Sequence, residues 1–459
     1  MARDHILIKT LVPICPSVST IGGMPFRALE TASIARCLGL TADRDDDQIE
    51  AYFERSEVVD VPGGPGTPGF HLARQEGVSV RLVREGRSWL ASQDGFGPRA
   101  FIDSLRQVAR ALPRAPYAQP RLEIRPAEAL AATELLQFPA NVTRAVREQL
   151  VAFPIELRVS RHRRWSQVVG PRFVPAPEEE CFYSLVAEMP WGRFGCLLSQ
   201  LDQSSARRVA ASLIRFFRAR DAKPPPDPVT GVVMAPQVAA VLLHEAVAHA
   251  LEADTLALGG NPAAAIGVRL GSDDLNVLDD PASAPPAVCK SADDEGQAVH
   301  RRWLLRGGVV EQPLADSLWA RSFPALSPGA ARRGSRHLPP VPRSTHLELL
   351  AGSSSIAELL EAANGGLYLP EVSRGRLDPH SGRFELHFPL ARRIQGGKPG
   401  DWVGACSMSA HVADLLGTVV GVGRQAEAAG AGWCAKGGQR LPVWATTPPL
   451  LMEGVEVTS

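Results

Sequence analysis

Residues 221–231, DAKPPPDPVTG, set four prolines beside a glycine, and neither a helix nor a central strand passes through such a run. A chain of 459 residues is longer than one hydrophobic core ordinarily serves. The break therefore divides it into an N-terminal domain over 1–220, a linker at 221–231 and a C-terminal domain over 232–459. In the first part, residues 77–89 alternate apolar and polar around Glu85-Gly86, the pattern of a hairpin. Residues 99–112 carry apolar side chains at helical spacing up to Pro113, and residues 204–219 predict a second amphipathic helix with arginines on its outer face. In the second part, residues 302–310 and 383–390 alternate as strands and glycine is frequent. The fold class is α+β: a mixed N-terminal domain, then a β-rich C-terminal domain that opens on one conspicuous helix.

That helix is the stretch PQVAAVLLHEAVAHALEAD, 236–254, with proline at its start and no breaker before Gly259. It carries His244, Glu245 and His249. Two imidazoles can hold a zinc ion, and a carboxylate beside them can take a proton from water that the ion has acidified. The histidines stand five apart, not four as in the common zincin motif. At about 100° per residue their side chains diverge by roughly 140° on a regular helix. Joint chelation therefore requires a local i→i+5 widening, a π-bulge of the kind that clusters at functional sites. A catalytic zinc usually has three protein ligands and one open position. Cys434, in AGWCAKGGQ, is the most attractive third ligand, because flanking glycines let the backbone come close.

Composition excludes several classes. Lys+Arg and Asp+Glu balance at 49 each, so nothing favours a nucleic-acid partner. Seven scattered cysteines without a Cys-x-x-Cys pair fit reduced thiols better than a disulfide framework. The apolar run at 6–15 is broken by Lys9 and Pro13 and lacks the form of a secretory signal. No window reaches the length of a membrane span, and the expected location is the cytoplasm.

HEAVAHALEAD closely resembles the zinc-binding string of TldD in the TldD/PmbA (TldE) peptidases, with Ala248 and Ala250 where the family usually has glycine. The resemblance continues in order through Asp293-Asp294-Glu295-Gly296, RSTHLE at 343–348, LDPHSGRF at 377–384 and the cysteine-bearing segment 432–438. It covers residues 236–459 and is weaker in the N-terminal half, where 76–91 matches best. The resemblance implies that His244, His249 and Cys434 bind zinc and that Glu245 is the general base. It further implies a TldD-like catalytic subunit that hydrolyses unfolded or flexible peptides, in degradation or leader-peptide removal. Such a subunit acts as a dimer, with a TldE/PmbA-like partner or with itself. An extended substrate would be held by backbone hydrogen bonds, as an added strand. Ser344, His346 and Ala435 depart from the family pattern and bear on substrate handling. Two other functions use the same residues: a non-catalytic assembly subunit, and a zinc hydrolase of a non-peptide amide.

Other features point to structure. RVSRHRRW, 158–165, reads as a solvated edge of the first domain, and His387 as the polar face of a strand. Asp293, Asp294 and Glu295 read as a strand-capping turn, with a second cation as the alternative. Residues 327–343, rich in proline and arginine, read as a long loop.

Overall fold

The computed structural model describes residues 31–41, 47–63, 71–109, 123–126, 133–150, 154–225, 228–260, 265–285 and 288–459. The apolar run at 6–15 and the end of the helix expected over 99–112 lie outside them.

The first sheet comprises β1 (Gln48–Gly63), β2 (His71–Arg84), β3 (Arg87–Asp94), β4 (Glu123–Pro126), β5 (Glu156–Val169), β6 (Glu178–Met189) and β7 (Gly192–Leu198). All pairs are antiparallel, in the order β3-β2-β1-β5-β6-β7, with β4 also on β2. The expected hairpin is β2–β3, whose two turn residues, Glu85 and Gly86, both have positive φ. Among the described residues four helices accompany the sheet: α1 (Thr31–Thr41), α2 (Pro98–Ala109), α3 (Thr133–Arg147) and α4 (Gln203–Ala219).

The period-2 alternation of β1 and β2 serves two different partners. Ile49, Ala51 and Phe53, with Val78, Val80 and Leu82, pack under α1 and α2. Glu50, Tyr52 and Glu54, with Ser79 and Arg81, are equally buried but face the C-terminal part of the chain. There Arg81 pairs with Glu50 and Glu295, and Arg333 bonds Glu50 and lies over the Tyr52 ring. Two sequence expectations change here. RVSRHRRW is not an edge: β5 lies between β1 and β6, and Arg164 bonds Glu180 and the Arg333 carbonyl. The stretch 327–343 is not a free loop. It contains the paired strands β12 (Ala331–Arg332) and β13 (Val341–Pro342), and Arg332, Arg333, Arg336 and Arg343 are fully buried in it. Arg332, Arg333 and Arg336 can be interred in this way because carboxylates and carbonyls from distant segments accept their hydrogen bonds, whereas among the described residues Arg343 has only an ion pair to Glu252 at 3.6 Å.

Two further sheets follow. The nine-stranded one runs β16 (Arg374–Leu377), β17 (Arg383–Phe388), β20 (Cys406–His411), β24 (Leu450–Thr458), β8 (Val229–Met234), β15 (Leu367–Leu369), β18 (Ala391–Gln395) and β19 (Lys398–Val403), with β21 (Val419–Val422) on β24. The six-stranded one runs β11 (Val309–Val310), β10 (Arg302–Arg306), β9 (Val277–Asp279), β14 (His346–Leu349), β23 (Gln439–Thr447) and β22 (Glu427–Lys436). β8 begins inside the proline-rich segment, so Val229–Gly231 already belong to the second sheet system. Between the two sheets lies α5 (Pro236–Leu243), its Val238, Ala239, Leu242 and Leu243 in one core with residues of both. A helix apolar on nearly every side is stable only when enclosed in this way.

Candidate metal centre and its cleft

After Leu243 the helix widens. Residues His244–Ala248 form a π turn, in which the His249 N–H donates to the His244 carbonyl, and a short 3-10 turn, His249–Leu251, follows. The i→i+5 bond brings residues five apart onto one side, and the two imidazoles stand 4.6 Å apart between ring centroids. Ala248 fits in this turn fully buried, so glycine is not required there. The helix is interrupted at Glu252, which is extended, and Leu251 and Ala253 exchange backbone bonds with Leu314 there; a separate short helix, Ala253–Leu256, then carries Asp254.

Cys434 arrives on β22, the outermost strand of its sheet, past a register shift between Ala429 and Gly432. The neighbouring Trp433 packs edge-on against Phe182 and His162 of the first sheet, which holds the strand against the body of the protein. One ligand atom from each of His244, His249 and Cys434 lies within 4.8 Å of the others, and all three residues are buried. Donors around one tetrahedral zinc stand roughly 3–4 Å apart, so a single ion is of the right size for this cluster. His244 Nε2 is buried without a hydrogen-bond partner, while its Nδ1 lies 3.5 Å from Ser344 Oγ. His249 Nε2 is 2.9 Å from Cys434 Sγ. Burial alone would raise the Cys434 thiol, but the His244 and His249 rings bring it down to about 5, within the range of thiolates. A buried imidazole nitrogen left unpaired beside a thiolate is the donor chemistry of a metal site.

Behind His249 stands a shell that the sequence reading missed. Glu252 Oε2 accepts from His249 Nδ1 at 2.8 Å and from Lys436 Nζ at 2.5 Å, and Lys436 also bonds Asp254 at 2.6 Å. Arg343 Nε lies 3.6 Å from the other Glu252 oxygen. Burial favours a protonated Glu252, yet His249, Lys436 and Arg343 pull it down to about 2. A carboxylate on the far nitrogen of a ligating histidine fixes its tautomer and raises its basicity. The signal was present in the sequence, in Glu252 three residues after His249 and Lys436 two after Cys434.

Glu245 is not part of the donor cluster. It lines, with His244, a cleft of about 900 Å³. An outermost strand from each of the three larger sheets, β7, β16 and β22, contributes to the cleft, together with α4 and α5. Gly375 on β16 lies against the π turn so closely that a Cβ there would fall 2.8 Å from Glu245 Cγ.

The remaining sequence candidates lie elsewhere. Asp293 accepts the backbone N–H groups of Glu295, Gln297 and Ala331; Asp294 accepts from Lys290 and Arg333; Glu295 accepts from Ser317 and pairs with Arg81. The acidic turn is thus an ion-paired junction with the first sheet. His346 bonds Ser283 and Thr446, and His337 bonds Ser92. His387 is exposed on β17 between buried Leu386 and Phe388. Cys181, Cys196, Cys406 and Cys434 are in no disulfide, and no described helix is long and apolar enough to cross a membrane.

Buried potential metal donors on a π-widened helix and a distant strand lie beside a cleft, and comparison with known proteins gives the family. The model of the PmbA/TldA metallopeptidase C-terminal domain matches residues 229–459. The chain belongs to the PmbA/TldD family. It is similar to a metalloprotease of Methanothermobacter thermautotrophicus, 30% identical over 253 residues that cover 55% of this chain and 54% of the relative. It is also similar to a zinc metalloprotease TldD homolog of Saccharolobus solfataricus, 24% identical over 227 residues, 49% of this chain and 51% of the relative. The chain therefore spans about half the length of the curated relatives it matches. TldE of Thermococcus kodakarensis has the same fold, with a TM-score of 0.69 at 16% identity, covering 93% of this chain and 100% of that one.

Proposed function

We propose that this chain is a zinc metallopeptidase that hydrolyses bonds in unfolded or flexible peptides. His244 Nε2, His249 Nε2 and Cys434 Sγ hold the ion, and Glu245 is the general base. The observation that carries the reading is the division of labour in the π turn. His244 and His249 converge on a thiolate, while Glu245 stays outside that cluster and lines the cleft. When bound, zinc supplies Lewis acidity and lowers the pKa of a water to about 7. Glu245 takes the proton of the attacking water and returns it to the leaving amine. Glu252 keeps the His249 Nδ1 proton in place, so that Nε2 is free for the ion. An extended substrate pairs with an outermost strand of the cleft, β16 or β22, by backbone hydrogen bonds.

The same reading makes the chain a cytoplasmic subunit of a dimer, with a TldE/PmbA-like partner or a second copy. Its domains are 1–220 and 232–459, joined through 221–231. Zinc content and peptide cleavage, measured on wild type and Glu245→Gln, test it together. The expected result is about one zinc in both proteins and cleavage in wild type alone. Equal cleavage by both would refute the base assignment. Zinc without cleavage of any peptide would favour an assembly subunit or an amide hydrolase of another class.

A further inference from the structure

The wall of the cleft formed by α4 is cationic, although the chain as a whole carries no net charge. Arg208, Ser212, Arg215 and Arg218 recur at helical spacing and all line the cleft. Ten residues of helix from Arg208 to Arg218 span about 15 Å, the length of four to five residues of an extended peptide. The cleft holds five arginines against three glutamates. Of the glutamates, Glu245 is the proposed base, and Glu371 is tied to Arg215 at 2.5 Å. That ion pair fixes α4 to the segment leading into β16, but it neutralises only Arg215. Arg208 donates to the hydroxyls of Ser204 and Ser205, and Arg218 to the side-chain carbonyl of Gln149. Among the described residues neither forms a direct ion pair with a carboxylate, Asp202 only feeling the charge of Arg208 from further off, and both are exposed to solvent.

We infer that the cleft selects peptides with acidic side chains, and that Arg208 and Arg218 on α4 engage the substrate's carboxylates. This rests on the peptide-hydrolase reading and names the substrate class for it. The physical basis is twofold. A concave site lined by one sign of charge concentrates ligands of the other sign. A guanidinium also meets a carboxylate through two parallel N–H···O bonds, which fixes register as well as attraction. The spacing along α4 suits acidic residues distributed over a short extended segment.

The test uses the full zinc-loaded chain and three fluorogenic peptides of equal length that differ only in carrying Glu, Gln or Lys at alternate positions. The expected order of kcat/KM is Glu over Gln over Lys, and raising the salt concentration compresses it. In the Arg208→Glu/Arg218→Glu variant the Glu-to-Gln ratio falls on the order of five-fold for each arginine replaced. The same peptides, labelled for anisotropy, are titrated into Glu245→Gln, which reads binding without turnover. Acidic preference in binding with no cleavage by wild type would leave the charge inference standing and sink the peptidase reading. Cleavage with equal kcat/KM for all three peptides would do the reverse. An acidic preference unchanged in the double variant would overturn the assignment to α4, and failure to bind or cut any peptide would overturn both.

Discussion

Replacing Glu252 by glutamine removes one charge from behind His249 while keeping the volume of the side chain and an oxygen that can accept from Nδ1. In the wild-type protein that carboxylate is fully buried, takes His249 Nδ1 at 2.8 Å and Lys436 Nζ at 2.5 Å, and faces Arg343. The neutral amide leaves the tautomer of His249 intact but makes Nε2 a weaker donor. Loss of such an outer carboxylate typically costs 10–100-fold in metal affinity, which is about 1.4–2.7 kcal/mol. The substitution also strands the buried Arg343 and takes one partner from the half-buried Lys436, which retains Asp254. Removing one partner of a buried pair costs about 3–5 kcal/mol of folding stability, so affinity must be read on protein shown to be folded by circular dichroism. Competition with a chromophoric chelator gives the zinc constant directly. A constant within two-fold of wild type, on folded protein, would refute the argument that Glu252 tunes the site.

Glu245→Gln keeps zinc and lowers peptide turnover by about 10²–10⁴-fold, as expected for loss of a general base; a change of less than ten-fold would move that role elsewhere. Gly375→Ala places a methyl 2.7 Å from Val241 Cγ1 and 2.8 Å from Glu245 Cγ, so it lowers turnover by displacing Glu245 and leaves zinc content unchanged. Metal loss in that variant would show that the strand supports the donors instead. Glu180 and Asp294 are buried, which raises a carboxyl, but Arg164 and Lys290 hold Glu180 below its usual value of 4.5 and Asp294 well below its usual 3.8. Their contribution to stability is therefore complete above about pH 5 and is lost as pH falls through the carboxylate range and below. Urea midpoints followed from pH 6 to 3 should drop less steeply in Asp294→Asn than in wild type, and parallel curves would contradict the assignment.

The sequence carried the part of this site that is local. Proline at the start, an apolar run and a His-Glu-x-x-x-His string mark the helix. The five-residue spacing, impossible for joint chelation on a regular helix, demands the π turn that His244–Ala248 forms. Cys434 was legible through its glycine-rich setting and family order. What could not be read locally was charge burial. Arg332, Arg333, Arg336 and Arg343 look like a solvated loop because their partners lie elsewhere in the chain, Glu50 and Glu252 among them. RVSRHRRW looks like an edge for the same reason, since alternation does not reveal that β1 and β6 flank it. The arginines of α4 were read as an outer face. They do point away from the core beneath that helix, but the space beyond Arg208, Arg215 and Arg218 is the cleft. Periodicity finds the face a helix buries and is silent about what its other face meets.

Substitution with cobalt(II) tests the central claim most directly, because a thiolate ligand gives a charge-transfer band in the near ultraviolet that histidine and water do not. One cobalt per chain with that band is expected in wild type, weak binding in His244→Ala and His249→Ala, and no band in Cys434→Ser. A wild-type protein that binds no metal, or a Cys434→Ser protein with an unchanged spectrum, would contradict a site built from two histidines and a thiolate.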